Sequence, residues 1–281
     1  MLRVAVPNKG ILAAPAASML AEAGYRQRAD DRDLVCRDEP NAVEFFYLRP
    51  RDIATYVASG DLDLGITGRD LLVDSGADAV EVLDLDFGAA SFRFAARPGT
   101  LATVESLAGR RVATAYPGVV ARYLADNGIE ATVVRLDGAV ENAVRLGVAD
   151  VIADVVATGS TLRQAGLEPV GKPILESSAL LIGRAGVAER PAVVQLVRRL
   201  QGVLVARRYV MLAYDVRAEH LDAACALTPG IESPTISPLH REGWVAVQAM
   251  VLTSEVHRIM DQLYDVGARA ILVTAVHAAR L

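Results

Sequence analysis

Short apolar segments alternate with helical patterns along most of this 281-residue chain, and this alternation limits the folds that it can adopt. Segment 2–6 is apolar and precedes an Ala-rich helical pattern that ends at Gly24. Segments 41–48 and 62–67 are also apolar, and a helical pattern over 51–59 separates them. Strands that alternate with helices are typical of parallel βαβ units, so the sequence predicts an α/β fold.

Later apolar segments predict a second set of strands and therefore a second lobe. These strands are predicted at 92–96, 111–115, 132–136 and 151–155. Pro98-Gly99 is the predicted crossing between the lobes, and the segment 179–182 can return the chain to the first lobe. We therefore predict lobe I from residues 1–95 and 180–207, and lobe II from residues 96–179. In folds of this kind a ligand binds where the carboxyl ends of the strands meet.

A short sequence pattern occurs once in each predicted lobe. Gly60-Asp61-Leu62-Asp63 precedes a strand of lobe I, and Gly147-Val148-Ala149-Asp150 precedes a strand of lobe II. Two interpretations stay open: the lobes are duplicates of one unit, or the similarity is chance, because Gly and Asp are common in turns before strands.

The pattern changes after Arg208. Strands are predicted at 209–216, 232–237, 244–251 and 270–276, and helices at 218–226 and 254–265. This order is β-α-β-β-α-β, which predicts a separate ferredoxin-like domain over 208–281. One face of its sheet would be open for oligomer contacts or a small ligand.

Composition excludes several functional classes. The net charge of −5 argues against a general nucleic-acid binder, which needs a basic surface. No apolar segment approaches the roughly 20 residues of a membrane helix, and no signal-peptide pattern follows Met1. Cys36 and Cys225 lie far apart, and the four histidines show no ligand spacing, so a zinc site is not predicted. These features predict a cytoplasmic protein without a membrane or nucleic-acid partner.

The segment 151–161 carries the strongest functional signal. An apolar strand reaches Asp154 and then opens into a turn before a helix predicted to begin at Leu162; the turn contains Ala157, Thr158, Gly159, Ser160 and Thr161. Backbone N–H groups at such a turn, together with a helix N-terminus, favour a phosphate group. The alternative is an ordinary capped connection between a strand and a helix.

Charged residues follow three strands of lobe I, so they are expected at one edge of its sheet. Lys9 follows the first strand, Arg49 the second, and Arg69 and Asp70 the third. Arginine at a strand end can bind phosphate with two parallel hydrogen bonds. The alternatives are a solvated turn lysine and a local Arg–Asp pair with an N-cap.

Two further residues follow strands of lobe II. Tyr116 precedes Pro117 at the predicted mouth of the cleft, where its ring is suited to stacking on a base. Plain packing is the alternative for this ring. Glu141 lies in the first turn of a predicted helix, a position that acidic residues favour without any function.

Several motifs are missing. The chain has no G-x-x-x-x-G-K-[ST] loop and no G-x-G-x-x-G fingerprint, so neither a P-loop enzyme nor a dinucleotide enzyme is indicated. The histidines all lie in the last quarter, away from candidate serines, which argues against Ser–His catalysis.

These motifs together resemble those of ATP phosphoribosyltransferase in its long form, and the resemblance covers essentially the whole chain. The matching segments are Val4–Gly10, Phe46–Pro50, Gly65–Asp70, Ala113–Pro117, Leu136–Glu141, Asp154–Thr161 and Leu227–Thr235. The resemblance implies two catalytic lobes similar to type II periplasmic binding proteins and a C-terminal domain that binds histidine. It also implies Mg²⁺ dependence and homodimers that assemble into homohexamers.

The implied reaction transfers the phosphoribosyl group of phosphoribosyl pyrophosphate to N1 of ATP and releases pyrophosphate. This reaction opens histidine biosynthesis. It proceeds with inversion through an oxocarbenium-like transition state, and such chemistry depends on alignment and charge neutralisation more than on a protein nucleophile.

The resemblance also assigns roles to the candidate residues. Residues 157–161 would hold the 5-phosphate, and Asp154 with Glu141 would hold the ribose hydroxyls. Lys9 and Arg49 would face the diphosphate and the ATP phosphates, with Arg69, Asp70 and Tyr116 near the nucleotide. Mg²⁺ would bind mainly substrate oxygens and water. Many phosphoribosyltransferases carry two adjacent acids in this loop, whereas Ala153 replaces the first one here.

For feedback inhibition the resemblance implies an L-histidine pocket that is formed by Asp215, Ser233, Thr235 and the backbone near Ala270. Two rival functions stay open from the sequence. One is a binding protein whose two lobes close on a small anion without chemistry, and the other is a non-catalytic regulatory subunit.

Overall fold

The computed structural model describes residues 1–101, 103–156 and 159–280, so the predicted loop residues Ala157 and Thr158 lie outside the described residues. Its strands are β1 (Leu2–Pro7), β2 (Val35–Asp38), β3 (Val43–Leu48), β4 (Leu64–Gly68), β5 (Val80–Asp84), β6 (Ala90–Ala96), β7 (Arg111–Thr114), β8 (Thr132–Arg135), β9 (Val151–Val156), β10 (Glu168–Ser177), β11 (Ala179–Gly183), β12 (Tyr209–Arg217), β13 (Thr235–Pro238), β14 (Trp244–Leu252) and β15 (Arg269–Ala275). Its α-helices are α1 (Ala13–Glu22), α2 (Pro50–Ser59), α3 (Arg69–Ser75), α4 (Pro117–Asp126), α5 (Asn142–Arg145), α6 (Ser160–Gln164), α7 (Pro191–Arg208), α8 (Leu221–Leu227) and α9 (Val256–Asp265). Short 3₁₀ turns occur at Val104–Leu107, Val187–Glu189 and Ala218–His220.

The strands form three sheets, and the first two belong to one compact unit over residues 1–21 and 25–194. The first sheet has the order β2-β3-β1-β4-β11-β5, and the second has the order β10-β6-β9-β7-β8. The predicted α/β fold is confirmed, but both sheets are mixed rather than fully parallel. In the first sheet β11 is antiparallel to β4, and in the second β6 is antiparallel to β9.

The crossings between the two sheets explain these antiparallel strands. The chain leaves the first sheet after β5, enters the second at β6, and returns between β10 and β11. After each crossing the chain enters the new sheet at the edge where its parallel strands end. Strands β6 and β11 therefore start at that edge and run antiparallel to β9 and β4. The crossing predicted at Pro98-Gly99 is wrong, because β6 already pairs with β9 in the second sheet.

Apolar spacing positions α2 on the first sheet. The helix begins at Pro50, whose fixed φ suits a first helical position, and it ends before Gly60, which has a left-handed backbone. Ile53, Ala54 and Val57 lie on one face of the helix and are buried against the strands. This packing fixes the turn between β3 and α2 at the edge where the strands end.

The second sheet is buried on both faces. Phe92 and Phe94 of β6 pack on one face with Val120 of α4. Ala113 of β7 and Ile152 of β9 belong to the cluster on the other face. Strands that are buried on both sides read as nearly continuous apolar segments, which is why the sequence predicted them well.

The pattern shared by the two lobes has the same structure in each. The Asp63 carboxylate accepts a 2.8 Å hydrogen bond from the backbone N–H of Arg3, and the Asp63 N–H donates to the Arg3 carbonyl at 2.9 Å. Asp150 makes the same two bonds with Arg111, at 2.9 and 3.0 Å. In both lobes the aspartate thus joins a strand start to the neighbouring parallel strand, which favours the duplication interpretation.

The third sheet belongs to a second compact unit over residues 22–24 and 195–281. Its order is β13-β14-β12-β15 with antiparallel pairs throughout, and α8 and α9 cover one face. This arrangement confirms the predicted ferredoxin-like domain. The predicted helix 218–226 is divided into the 3₁₀ turn Ala218–His220 and α8. In the described part of the chain, no helix is both long and apolar enough to cross a bilayer.

Candidate active site

A cavity of about 170 Å³ lies where strands of the first two sheets end. Lys9 follows β1, Pro50 follows β3, and Asp70 follows β4, so three turns of the first sheet form one wall. Tyr116 follows β7 and Val155 is near the end of β9, so the second sheet forms another. Gly88 and Ser177 to Ser178, from the two crossings, complete the lining. The cavity therefore occupies the predicted cleft.

Asp70 is held firmly in this cavity, with an exposed fraction of 8%. Its carboxylate accepts a 2.8 Å hydrogen bond from the Ser177 hydroxyl, and the same hydroxyl accepts a 3.1 Å bond from the Asp70 N–H. Ser177 belongs to the return crossing, so this pair ties the start of α3 to the crossing. A carboxylate with an anchored backbone is well suited to accept from a nucleotide hydroxyl or amino group.

Tyr116 is packed and also lines the cavity. Its packing is confirmed, and its stacking on a base stays a prediction. Its ring makes an edge contact with Phe92, at 5.3 Å between centroids, and the Arg51 guanidinium lies 5.0 Å from the ring centroid. Burial, and then the charges of Asp70 and Asp154, raise the pKa of Tyr116. The hydroxyl therefore stays protonated and can donate a hydrogen bond inside the cleft.

Lys9 and Arg49 are exposed cations at this edge of the first sheet. Neither side chain makes an ion pair or a side-chain hydrogen bond with the residues that the structure describes, although several nearby arginines do. Lys9 lines the cavity, and Arg49 directly precedes the lining residue Pro50. Cations without protein partners are available to bind a phosphate or diphosphate group.

Asn8 lies beside Lys9 and was not recognised from the sequence as a site residue. Its Oδ1 atom is buried and has no hydrogen-bond partner among the described residues. An unpaired buried acceptor destabilises a fold by about 1–3 kcal/mol, so each such atom calls for an explanation. A donor supplied by a bound substrate would satisfy this oxygen.

Arg69 lies in an ion-pair network at the crossings. Its guanidinium donates to both carboxylate oxygens of Glu81, at 2.8 and 3.0 Å, and to Asp84 at 3.2 Å. A further bond of 3.2 Å reaches the Ser178 hydroxyl of the return crossing. The hydrogen bond with Glu81, and then its charge, raise the pKa of Arg69. These contacts would have to break for Arg69 to bind a nucleotide phosphate, so that role stays a prediction.

A second cavity, of about 200 Å³, lies beside the first and is lined by Glu141, Asp154, Gly159 and Thr161. Val155 lines both cavities, so they are contiguous along β9. All of the lining residues of the second cavity come from the second sheet and its connections. The candidate ribose and phosphate residues are thus gathered in one lobe.

The surroundings of Asp154 disfavour its charged form. Burial, and then repulsion from Glu141 and Asp70, raise its pKa above the usual value of 3.8. One hydrogen bond, from the Val155 N–H at 2.7 Å, partly offsets this effect. No described cation forms an ion pair with Asp154, although Arg93 stands opposite it in the β6–β9 ladder. A donor or cation from a ligand would stabilise its charged form.

The phosphate loop is only partly within the described residues. Gly159 has a left-handed backbone with φ of +69° and forms the N-cap of α6, a conformation that favours glycine. The helix begins at Ser160 rather than at the predicted Leu162, so Ser160 and Thr161 belong to its first turn. Their position at a helix start next to the second cavity fits the predicted anion site, which stays a prediction.

The predicted histidine-site residues do not all meet within one chain. Asp215 on β12 lies opposite Arg269 on β15 in the strand register, next to a register shift. The neighbouring residue Ala270 has a left-handed φ of +50°. Such strain in a non-glycine residue often marks a functional site. Thr235 lies on β13, which β14 separates from β12, so two strand spacings of about 4.8 Å keep it from Asp215. Ser233 lies two positions before β13 begins, so it is near Thr235 in the chain.

Comparisons with known proteins agree with this architecture. The family model for HisG, ATP phosphoribosyltransferase, matches residues 49–202, and the model for the HisG C-terminal domain matches residues 206–278. ATP phosphoribosyltransferase of Salinispora tropica is 70% identical over 281 residues, and the alignment covers the full length of both chains. The enzyme of the same name from Streptomyces avermitilis is 64% identical, also with full coverage of both chains.

A solved structure shares the fold. It is the ATP phosphoribosyl transferase (HisG:HisZ) complex from Thermotoga maritima, with a TM-score of 0.63 and 26% identity over 72% of this chain and 97% of that chain. The resemblance that was identified from the motifs is confirmed by these matches. The region of the cleft and the C-terminal sheet both match models of one family, so the chain belongs to the ATP phosphoribosyltransferase family.

Proposed function

We propose that this chain transfers the phosphoribosyl group of phosphoribosyl pyrophosphate to N1 of ATP, giving N1-(5-phosphoribosyl)-ATP and pyrophosphate. The observation that carries the proposal is the pair of contiguous cavities along β9. One contains carboxylates beside the candidate phosphate loop, and the other contains unpaired Lys9 at the ends of the first sheet's strands. This division suits a phosphoribosyl donor beside a nucleotide acceptor.

The second cavity is proposed to bind the donor. Asp154 and Glu141 would accept from the ribose hydroxyls, and residues 157–161 would hold the 5-phosphate with backbone N–H groups and hydroxyls. The raised pKa of Asp154 supports this role, because hydroxyl donors would replace the water that the carboxylate has lost. Lys9 and Arg49 would then face the diphosphate.

The first cavity is proposed to bind ATP. Asp70 would accept from the nucleotide, and Tyr116 would contact the base or donate from its hydroxyl. In the reaction, the N1 lone pair forms a bond to C1 of the ribose as the bond from C1 to the diphosphate oxygen breaks. The electron pair leaves with the diphosphate, so cations at that oxygen stabilise the transition state.

Mg²⁺ is implied by the family, and the donor set fits it only in a limited way. The charges of Glu141 and Asp70 both contribute to the raised pKa of Asp154, so these carboxylates lie near one another. Nevertheless, the described residues contain no group of three or more candidate ligands that could hold a metal ion. We therefore propose that the ion binds mainly to diphosphate oxygens and water, with Asp154 or Glu141 near its outer shell. When bound, it would neutralise charge on the leaving diphosphate.

The remaining proposals concern regulation and assembly. We propose a division into lobe I, lobe II and a C-terminal regulatory domain, with the first boundary moved to the crossing before β6. We also propose feedback inhibition by L-histidine at Asp215, Ser233, Thr235 and Ala270, in homodimers that assemble into homohexamers. A cytoplasmic location follows from substrates that are cytoplasmic metabolites.

Pyrophosphate release tests the proposed function. We expect release only when ATP and phosphoribosyl pyrophosphate are both present, with mass spectrometry showing one phosphoribosyl group added to ATP. Binding of both compounds without release would instead indicate a two-lobed binding protein. The Lys9→Ala variant is expected to lose about 10-fold or more in kcat/KM, since hydrogen bonds to charged groups contribute about 1.5–3 kcal/mol.

A further inference from the structure

An ion pair from the first lobe binds the backbone of the second. Arg51, in the first turn of α2, donates from Nη1 to an Asp74 carboxylate oxygen at 2.5 Å and from Nη2 to the Ala115 carbonyl at 2.9 Å. The other Asp74 oxygen accepts from the Gly118 N–H at 2.8 Å. We name Arg51, Asp74, Ala115 and Gly118 the interlobe clasp. It joins α2 and α3 of lobe I to two parts of lobe II: the turn after β7, which contains Ala115, and the first turn of α4, which contains Gly118.

The clasp is closely packed. The Asp74 side chain has an exposed fraction of only 6%, whereas Arg51 retains 43%. A Cβ atom at position 118 would lie 2.2 Å from the Asp74 carbonyl oxygen, so only glycine permits this approach of α3 to α4. Gly118 also lies in the first turn of α4, where an N–H group has no partner inside the helix. Asp74 supplies that partner from the other lobe.

The clasp contacts a residue of the candidate ATP cavity. The Arg51 guanidinium lies over the Tyr116 ring, and Tyr116 is the residue between Ala115 and the start of α4. Among the described residues, two crossings connect the lobes covalently, and both crossings line the same cavity. A change in the angle between the lobes would therefore separate Arg51 and Asp74 from Ala115 and Gly118, and would move Tyr116 relative to Asp70.

We propose that Arg51 and Asp74 are positioning residues that hold Tyr116 opposite Asp70 and so prepare the cavity for ATP. The proposal rests on the proposed function for the identity of ATP as the ligand. It distinguishes the two substrates, because the second cavity is formed by lobe II alone. Loss of the clasp therefore weakens ATP binding more than donor binding, because only the diphosphate of the donor would contact lobe I, through Lys9 and Arg49.

Arg51→Lys is the sharpest test, since it keeps the charge and removes the two-pronged guanidinium. One ammonium group cannot reproduce the two differently directed bonds to Asp74 and the Ala115 carbonyl. Arg122→Lys is the matched control, because Arg122 is an exposed residue of α4 that has only a long 3.9 Å pair with Asp126. Asp74→Asn is a second variant that keeps the shape of the side chain.

Three measurements are made on each variant: amide hydrogen exchange at Gly118, and calorimetric binding of ATP and of phosphoribosyl pyrophosphate. For Arg51→Lys we expect Gly118 exchange about 10-fold faster and ATP affinity about 10-fold weaker, the equivalent of one charge-assisted bond. Donor affinity should fall by clearly less than ATP affinity, and Arg122→Lys should match the wild type for both substrates.

Unchanged Gly118 exchange, or faster exchange with unchanged ATP affinity, overturns the proposal. An equal loss of affinity for both substrates also overturns it, since this result indicates general damage to the fold. If the wild type shows no pyrophosphate release, the proposed function fails, while Gly118 exchange still reports on the clasp.

Discussion

Replacing Asp154 by Asn is expected to impair donor use and to stabilise the free protein. The carboxylate is partly buried, has no described ion-pair partner, and accepts one hydrogen bond from the Val155 N–H. If it accepts from a ribose hydroxyl, the Asn variant loses a bond to a charged group, which is worth about 1.5–3 kcal/mol. At 1.4 kcal/mol for each factor of ten, kcat/KM for phosphoribosyl pyrophosphate falls by about 10- to 150-fold.

The stability effect has the opposite sign and depends on pH. Because the folded pKa of Asp154 is raised above 3.8, the folded state holds the proton more tightly than the unfolded state does. The wild type therefore loses stability relative to Asp154→Asn as the pH rises from about 3.8 through the raised pKa. Below that window both side chains are neutral, and the two unfolding free energies should converge.

Asp150→Asn is the matched control, four positions earlier in the same lobe. Hydrogen bonds from the Arg111 side chain and backbone lower the pKa of Asp150, so its contribution to stability is present above pH 3.8 and is lost as the pH falls through the folded value. This variant should lose stability at neutral pH and keep the wild-type KM for the donor. Urea unfolding at several pH values and steady-state kinetics measure both effects. Normal donor kinetics in Asp154→Asn would contradict the ribose-binding role of Asp154, and lower stability at neutral pH would contradict its raised pKa.

Three further predictions concern other regions of the chain. Asn8→Ala should lower kcat/KM about 10-fold without lowering the free energy of unfolding, because it removes an unpaired buried acceptor; reduced stability with normal turnover would contradict this. Arg69→Gln should lower stability by about 1 kcal/mol, since its guanidinium is bonded to Glu81. If these bonds persist with ATP bound, KM for ATP stays unchanged, and a raised KM would instead support the predicted nucleotide role of Arg69. Asp215→Asn should raise the L-histidine concentration for half-inhibition about 10-fold without changing the uninhibited rate, and inhibition as in the wild type would argue against the pocket.

Local sequence patterns predicted the strands that are buried on both faces, and they missed three edge strands. β10 contains Pro169, Gly171 and Pro173, residues that ordinarily interrupt a strand. These residues are tolerated because β10 is an edge strand with a register shift between Val170 and Leu175. β2 and β5, which were also missed, lie at the two edges of the first sheet.

The cavity-lining residues were predictable because each follows a strand or, as for Asp154, lies near its carboxyl end, and parallel strands end at the same edge. Lys9, Asp70, Tyr116 and Asp154 all line one of the two cavities for this reason. The partners of Arg69 and Arg51 were not predictable, since the contact of Arg51 with Ala115 spans 64 residues and depends on how the lobes meet. Sequence spacing carries no information about such contacts until the crossings are known.

A crystal structure with phosphoribosyl pyrophosphate and Mg²⁺ tests most directly whether the cleft along β9 is the catalytic site. We expect the 5-phosphate at residues 157–161, a ribose hydroxyl within hydrogen-bond distance of the Asp154 carboxylate, and the diphosphate directed toward Lys9. Ordered donor bound in any other cavity, with Asp154 and Lys9 remote from it, would contradict the account.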